Sequence, residues 1–135
     1  MVRIERDSQI DLHEDFINAY NKVLKSLGKM ACLVEKSELI FMAINSKAPR
    51  YYISYDRARK IISEYYKNGS FPSCHNNNKR MVNELIEKYK EERKKFPDKR
   101  NSLIIEDIIY SEASSFFIAR TKAYEILHKY YAKKH

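Results

Sequence analysis

The sequence contains few of the residues that turn or interrupt a chain. Among 135 residues there are two glycines, three prolines and no tryptophan. A β-sandwich or barrel needs a turn signal about every eight to twelve residues, so this composition argues against an all-β fold. Two glycines also cannot supply a glycine-rich phosphate-binding loop. The composition therefore indicates long helices with few tight turns.

Cysteine and long apolar runs are equally scarce. The two cysteines, Cys32 and Cys74, are too few for a disulfide framework, and neither lies in a CxxC or HxxxH spacing, although His75 follows Cys74. No stretch approaches the roughly 20 apolar residues of a membrane span, and the N-terminus lacks the apolar region of a signal peptide. We expect a cytoplasmic protein without a metal site, a cofactor or a membrane partner.

No catalytic constellation is present either. The sequence contains no GxSxG and no HExxH motif. Its clustered carboxylates, Asp11, Glu14 and Asp15, lie at a predicted helix start, where they interact favourably with the helix dipole. We therefore expect a protein that is not an enzyme.

Basic residues, in contrast, are abundant. Twenty-six lysines and arginines against eighteen acidic residues give a net charge of +8. Such an excess favours a polyanionic partner through phosphate neutralisation and counterion release. The basic residues are interspersed with acids, so a purely solubilising role remains open. In the densest basic run, residues 88–100, pairing of charges three and four residues apart on a solvated helix accounts for much of the pattern.

An internal repeat is the clearest organising feature. Shifting the chain by 65 residues aligns 37–66 with 102–131 without a gap, and ten of the thirty positions are identical, among them Ile40/Ile105 and Ile61/Ile126. Ordinary composition gives about two identities by chance. The pattern predicts a single domain, 1–135, built from two repeats at about 11–69 and about 78–133, joined by a linker at about 70–77.

Each repeat contains three amphipathic segments with apolar residues at steps of three and four. The fold class that follows is all-α, a six-helix pseudo-twofold domain. Serines predict three helix starts, and Gly28 and Gly69 predict the ends of the first and third helices. The predicted helices run from about Asp11 to Leu27, from the cap Ser37, from the cap Ser54 to Gly69, from about Asn78 to Lys95, from the cap Ser102, and from about Ala119 to Ala132.

The segment before the last helix of each repeat has residues that favour extended backbone. Pro49 disfavours helix, and Tyr51-Tyr52-Ile53 and Phe116-Phe117-Ile118 are aromatic or β-branched. The pattern allows a tiny two-stranded antiparallel ribbon between these two links. It would join the repeats around one core.

The run Ala48-Pro49-Arg50-Tyr51-Tyr52-Ile53-Ser54, followed by Arg57-Ala58 and Ile61-Ile62, resembles a motif of small uncharacterised proteins from phages and mobile elements of gut bacteria. In those proteins an "APRFYVS"-like stretch precedes a helix and often occurs twice. In the second repeat of this chain, Ser114 and Ser115 replace the proline and the arginine. The resemblance implies a mobile-element origin, and a host-cell cytoplasmic location if the protein is phage-encoded. It implies no chemistry.

The candidate nucleic-acid contacts lie around the start of the third helix. Arginine and lysine near a helix N-terminus suit phosphate and guanine edges. The link before this helix is longer than the three-to-four-residue turn of a DNA-reading helix-turn-helix, so the fit to that motif is loose. The alternative is an ordinary solvated helix face. The candidate residues are Arg50, Arg57, Arg59 and Lys60.

Eleven tyrosines among many basic residues raise a second possibility, the stacking of aromatic rings on unpaired bases. Tyr55 and either Tyr51 or Tyr52 are the candidates, and core packing is the alternative for most tyrosines. Taken together, the sequence favours a nucleic-acid-binding accessory or regulatory protein of a phage or mobile element. The alternative is a protein–protein interaction or structural module, for instance a virion or assembly component or a homodimer, without nucleic-acid contact.

Overall fold

A computed structural model describes residues 8–69 and 76–133. Within these ranges the chain is helical with no β-strand, which confirms the all-α fold class. Most of the predicted linker, about 70–77, and both residues of the pair Cys74-His75 lie outside the described residues. The helices are α1 (Ser8–Leu27), α2 (Lys36–Ile44), α3 (Tyr55–Asn68), α4 (Asn76–Lys95), α5 (Asn101–Ile109) and α6 (Arg120–Lys133), with a 3-10 helix at Gly28–Leu33.

Two predicted helix termini are confirmed by their local geometry. The Ser54 hydroxyl accepts a hydrogen bond from the Arg57 amide over 3.2 Å, so Ser54 is the N-cap of α3. Gly69 follows α3 with φ of 70°, the left-handed conformation that favours glycine at a helix end. A third, the end of α1 at Leu27, is also as predicted, and the chain continues there as the unpredicted 3-10 helix.

Two predicted caps, Ser37 and Ser102, are wrong. The N-cap positions of α2 and α5 are Glu35 and Arg100, neither of which makes a side-chain capping bond. The Glu35 carbonyl oxygen accepts from Leu39 over 3.1 Å, so helical hydrogen bonding has already begun before Ser37. Both serines therefore lie inside the first turn, where they have no capping role.

The chain divides into two compact units that do not follow the predicted repeats. Unit 1 comprises Met1–Ala48 and Ser114–His135, and therefore holds α1, α2 and α6. Unit 2 comprises Pro49–Ala113 and holds α3, α4 and α5. Each unit thus combines the first two helices of one predicted repeat with the last helix of the other.

The core of unit 1 forms where α1, α2 and α6 contact one another. Phe16 of α1 meets Phe116, just before α6, edge to face with ring centroids 5.5 Å apart. Ile40 on α2 and Leu127 on α6 are also fully buried. Side chains of this size each stabilise the fold by roughly 1.5–3 kcal/mol through removal from water.

The core of unit 2 forms in the same way. Ala58, Ile61 and Ile62 line the buried face of α3, which packs against α4 and α5. Leu85 on α4 and Ile104 on α5 are fully buried in this core. Since these apolar residues recur at steps of three and four, one face of α3 is buried and the opposite face is left to solvent.

The links before α3 and α6 hydrogen-bond to helix ends, and no ribbon forms in the described residues. The Tyr51 amide donates to the Ile109 carbonyl oxygen within unit 2, and the Phe116 amide donates to Ile44 within unit 1, both over 2.9 Å. Carbonyls at the C-terminus of a helix lack partners inside the helix, which makes them ready acceptors. The two links therefore bond to the C-terminal ends of α5 and α2 and do not pair with each other as strands, and Phe117 adopts a left-handed conformation with φ of 52°.

Candidate nucleic-acid interface

Three of the four predicted contact residues lie on the solvent face of α3. Arg57, Arg59 and Lys60 are exposed, while Ala58, between them in sequence, is fully buried. The Ser54 cap fixes where the helix begins, and the buried positions fix which side faces out. Local structure therefore places three cations on the first two turns of α3.

The spacing of these cations suits a phosphate backbone. Arg57 and Lys60 are three residues apart, so their Cβ atoms lie about 5–6 Å from each other on the helix surface. Exposed Asp56 is the acidic neighbour in the first turn, and Glu64 follows about two turns later. Two guanidinium forks and one ammonium give several donors for anionic oxygens without a preformed pocket.

Arg50, the fourth predicted contact residue, is buried in unit 2. Only 4% of it is exposed. Its Nε atom donates to the Tyr51 carbonyl oxygen over 3.0 Å, and its guanidinium carbon lies 4.5 Å from the centroid of the Tyr110 ring. The same group donates to the Ile53 carbonyl oxygen over 3.4 Å. Arg50 thus supports the link before α3, and it does not join the α3 cations.

Sequence reasoning had little means of detecting this burial. Ser115, the residue 65 positions later, is also buried, with 3% exposed, and its hydroxyl accepts from the Phe117 amide over 2.9 Å. Both Arg50 and Ser115 are polar, so neither contributes to an apolar pattern that would indicate an interior position. The two carbonyl acceptors of Arg50 are local, one and three residues along the chain, and only the tertiary structure brings the Tyr110 ring against its guanidinium.

The densest basic run, 88–100, is engaged in contacts within unit 2. Arg93 donates from Nη1 to the carbonyl oxygens of Lys99, over 2.7 Å, and Pro97, over 3.1 Å, which fixes the turn between α4 and α5. The Lys99 ammonium lies 2.5 Å from an Asp107 carboxylate oxygen, and this hydrogen bond raises the pKa of Lys99. These contacts give Arg93 and Lys99 a structural role within unit 2.

A cleft of about 230 Å³ opens between α4 and the C-terminal end of α5. The Lys88 ammonium donates to the Ser111 hydroxyl over 2.9 Å, and that hydroxyl donates onward to the Ile108 carbonyl oxygen over 2.6 Å. The Ser111 hydroxyl thus points its proton at a carbonyl oxygen at the end of α5, and the Lys88 ammonium is the donor to that hydroxyl. In this arrangement Lys88 does not act as a base that activates Ser111 as a nucleophile. The lining residues are Lys88, Glu91, Glu92, Asp107, Ile108 and Ser111.

The predicted stacking tyrosines are not the most exposed aromatic residues. Tyr51 is 1% exposed, and its hydroxyl donates to Glu84 Oε1 over 2.8 Å. Tyr52 and Tyr55 are half-buried. Phe41 on α2, in contrast, is 51% exposed. The sequence could have indicated this exposure, because Phe41 lies outside the apolar stripe of α2, which is formed by Leu39, Ile40, Ala43 and Ile44.

No family model matches this chain, nor does any curated protein or solved structure in the comparisons. Among residues 8–69 and 76–133, no three His, Cys, Asp or Glu side chains group in a way that could hold a metal ion. Over the same residues, no helix combines the length and apolar character needed to cross a bilayer.

Proposed function

We propose that this chain is a nucleic-acid-binding accessory or regulatory protein of a phage or mobile element, and that the exposed face of α3 contacts the phosphate backbone. The observation that supports the proposal is the exposure of Arg57, Arg59 and Lys60 on a helix whose opposite face is buried. A net charge of +8 adds a long-range attraction for polyanions.

The proposal concerns phosphate contact without base-specific reading. The segment between α2 and α3 covers residues 45–54, longer than the turn of a DNA-reading helix-turn-helix. Phosphate contacts hold a protein on a duplex and carry no sequence information by themselves. We therefore expect affinities that differ little between duplex sequences and fall steeply with salt.

Fluorescence anisotropy with a labelled DNA duplex across a salt series tests this function. The informative variant is R57Q/R59Q/K60Q, whose positions are all exposed. A matched control is K22Q/K25Q/K29Q, which removes the same charge from exposed positions of unit 1. The slope of log affinity against log salt should become shallower by about three in the α3 variant, since each lost phosphate contact removes about one.

The control separates a local interface from the general effect of charge. If the α3 face is the contact surface, K22Q/K25Q/K29Q keeps most of the wild-type slope. Equal losses in the two variants would mean that binding follows net charge alone. Absence of salt-dependent binding in the wild-type protein, to duplex and single strand alike, would rule the function out.

A protein-interaction role is a second candidate, and one structural observation favours it. The 3-10 helix Gly28–Leu33 contains no buried residue, and it exposes Met30 (59%) and Leu33 (74%). Large apolar side chains exposed in this way often mark protein contacts. Static light scattering of wild-type protein and of L33K tests it: a stable oligomer that L33K dissociates would support this role, and a monomer with unchanged scattering would not.

A further inference from the structure

In unit 1, two exposed aromatic rings lie on neighbouring helices, each beside a cation. The guanidinium carbon of Arg120 on α6 is 5.3 Å from the ring centroid of Phe41 on α2. The Lys36 ammonium on α2 is 5.9 Å from the ring centroid of Tyr124 on α6. All four side chains are exposed, Phe41 to 51% and Tyr124 to 39%. We refer to these four residues as the α2–α6 face.

The two ring–cation pairs are offset along the helices. Arg120, at the start of α6, reaches Phe41 near the end of α2, and Tyr124 pairs with Lys36 at the start of α2, so the helices run antiparallel. At 1.5 Å rise per residue, the pairs are separated by about 6 Å on α6 and about 7.5 Å on α2. This separation is about twice the 3.4 Å spacing of successive nucleotides in one strand.

The helix α5 of unit 2 shows that packing alone does not require this exposed ring. The bounds of α2 and α5 differ by 65 residues at both ends, and both helices bury two pairs of apolar residues at the same relative positions. The outward positions of α2 carry Phe41 and Met42, where α5 has Glu106 and Asp107. An α-helix of this kind is therefore compatible with acidic residues at the positions where α2 exposes apolar ones.

We propose that the α2–α6 face binds unpaired bases of single-stranded nucleic acid. Phe41 and Tyr124 offer ring surfaces on which bases of any identity stack, and Lys36 and Arg120 contact the adjoining phosphates. This site goes beyond the proposed duplex contact of α3, since it lies in the other unit and recognises bases by stacking.

The charges around the face favour an anionic strand. Glu125, the single acidic residue of α6, is paired with Lys129 over 3.2 Å, and this hydrogen bond lowers the pKa of the Glu125 carboxyl. Two exposed glutamates lie near the start of α2, Glu35 at its N-cap and Glu38 in its first turn. Together, α2 with its N-cap residue and α6 carry five lysines and arginines against three glutamates, so the net charge of these helices complements phosphate.

Fluorescence anisotropy with a labelled oligothymidine, and with an abasic deoxyribose-phosphate chain of equal length, tests the site. The wild-type protein should bind the oligothymidine more tightly than the abasic chain, because only the former can stack. In F41A/Y124A the affinity for oligothymidine should fall about five-fold or more for each ring removed, and the affinity for the abasic chain should change little.

The matched control is F96A in unit 2. Phe96 is also 51% exposed and also has a cation, Lys99, with its ammonium 5.2 Å from the ring centroid. F96A should keep wild-type affinity for oligothymidine. The conservative variant F41Y/Y124F, which retains both rings, should bind as the wild-type protein does, and a circular dichroism melt of each variant confirms that it folds.

Several results would overturn the inference. Equal wild-type affinity for oligothymidine and the abasic chain would show contact through phosphates alone. Unchanged oligothymidine binding by F41A/Y124A, with or without a change in light scattering, would show that the face does not bind bases and serves at most as a protein contact. The proposed function of α3 is tested by a different result. It is contradicted if R57Q/R59Q/K60Q binds a duplex with the same dependence of log affinity on log salt as the wild-type protein.

Discussion

The amide of Tyr51 donates to the carbonyl oxygen of Ile109 over 2.9 Å, and the amide of Phe116 makes the same bond to Ile44 over 2.9 Å. The two donors are 65 residues apart in the chain, and so are the two acceptors. This distance equals the period of the predicted repeat. Through the first bond, the link before α3 is held to the end of α5. Each link is thus hydrogen-bonded to a helix of the other predicted repeat. The helix that follows each link, α3 or α6, also packs against the helices of that other repeat.

This exchange makes unit 2 continuous in sequence and unit 1 discontinuous. We expect a fragment 49–113, which holds α3, α4 and α5, to be helical and to unfold cooperatively. A fragment 78–133, bounded as the predicted second repeat, lacks α3 and should show a weaker, non-cooperative transition. Thermal denaturation followed by circular dichroism compares the two. A cooperative transition in 78–133 but not in 49–113 would contradict this division of the chain.

Loss of the Ser54 cap should destabilise α3. In S54A, the hydroxyl that accepts from the Arg57 amide is missing, and we expect the free energy of unfolding to fall by about 1 kcal/mol. S102A is the matched control, because Ser102 is exposed within the first turn of α5 and is not its N-cap. Urea denaturation measures both variants. A loss in S102A as large as that in S54A would show that the effect is not one of capping.

Arg50 should matter for stability, in contrast to its exposed neighbours on α3. R50Q removes a buried guanidinium that donates to the Tyr51 and Ile53 carbonyl oxygens and lies over the Tyr110 ring. We expect the free energy of unfolding to fall by about 2 kcal/mol, since charged hydrogen bonds are lost in a buried setting. R59Q, at an exposed position, should change it by no more than about 0.5 kcal/mol. Similar values for both in urea denaturation would contradict the buried role.

Tyr51 should make the protein less stable at alkaline pH. Burial raises the pKa of its hydroxyl, and the hydrogen bond to Glu84 and the charge of that carboxylate raise it further. Because the folded pKa exceeds the unfolded value of about 10, the stabilising contribution of neutral Tyr51 is complete below that pH and is lost as the pH rises above it.

The measurement is urea denaturation at a series of pH values. The free energy of unfolding of the wild-type protein should decrease above about pH 10 by up to about 1.4 kcal/mol per pH unit for this one proton. Y51F cannot ionise, so its decrease should be shallower, although the variant starts from a lower stability at neutral pH through loss of the Glu84 bond. Identical slopes in the two proteins would show that Tyr51 does not contribute.

The sequence by itself determined the local features of this protein. Apolar residues at steps of three and four indicated the helices, and the Ser54 cap and Gly69 defined α3, because these signals act between residues close in the chain. The same pattern predicted Arg57 and Lys60 on the solvent side of α3, since the buried face of an amphipathic helix fixes the opposite one, and the structure shows Arg59 exposed as well.

Only the tertiary structure decided which helices share a core and which polar residues lie inside it. The repeat predicted the order of the helices, but it did not predict that α6 packs with α1 and α2. A buried apolar stripe indicates that a helix packs against some partner, and it does not identify that partner. Arg50 is buried where the fold brings the Tyr110 ring, distant in sequence, to within 4.5 Å of its guanidinium carbon. Phe41 and Tyr124 meet their cations across two helices that are far apart in sequence, so no local pattern could have brought them together.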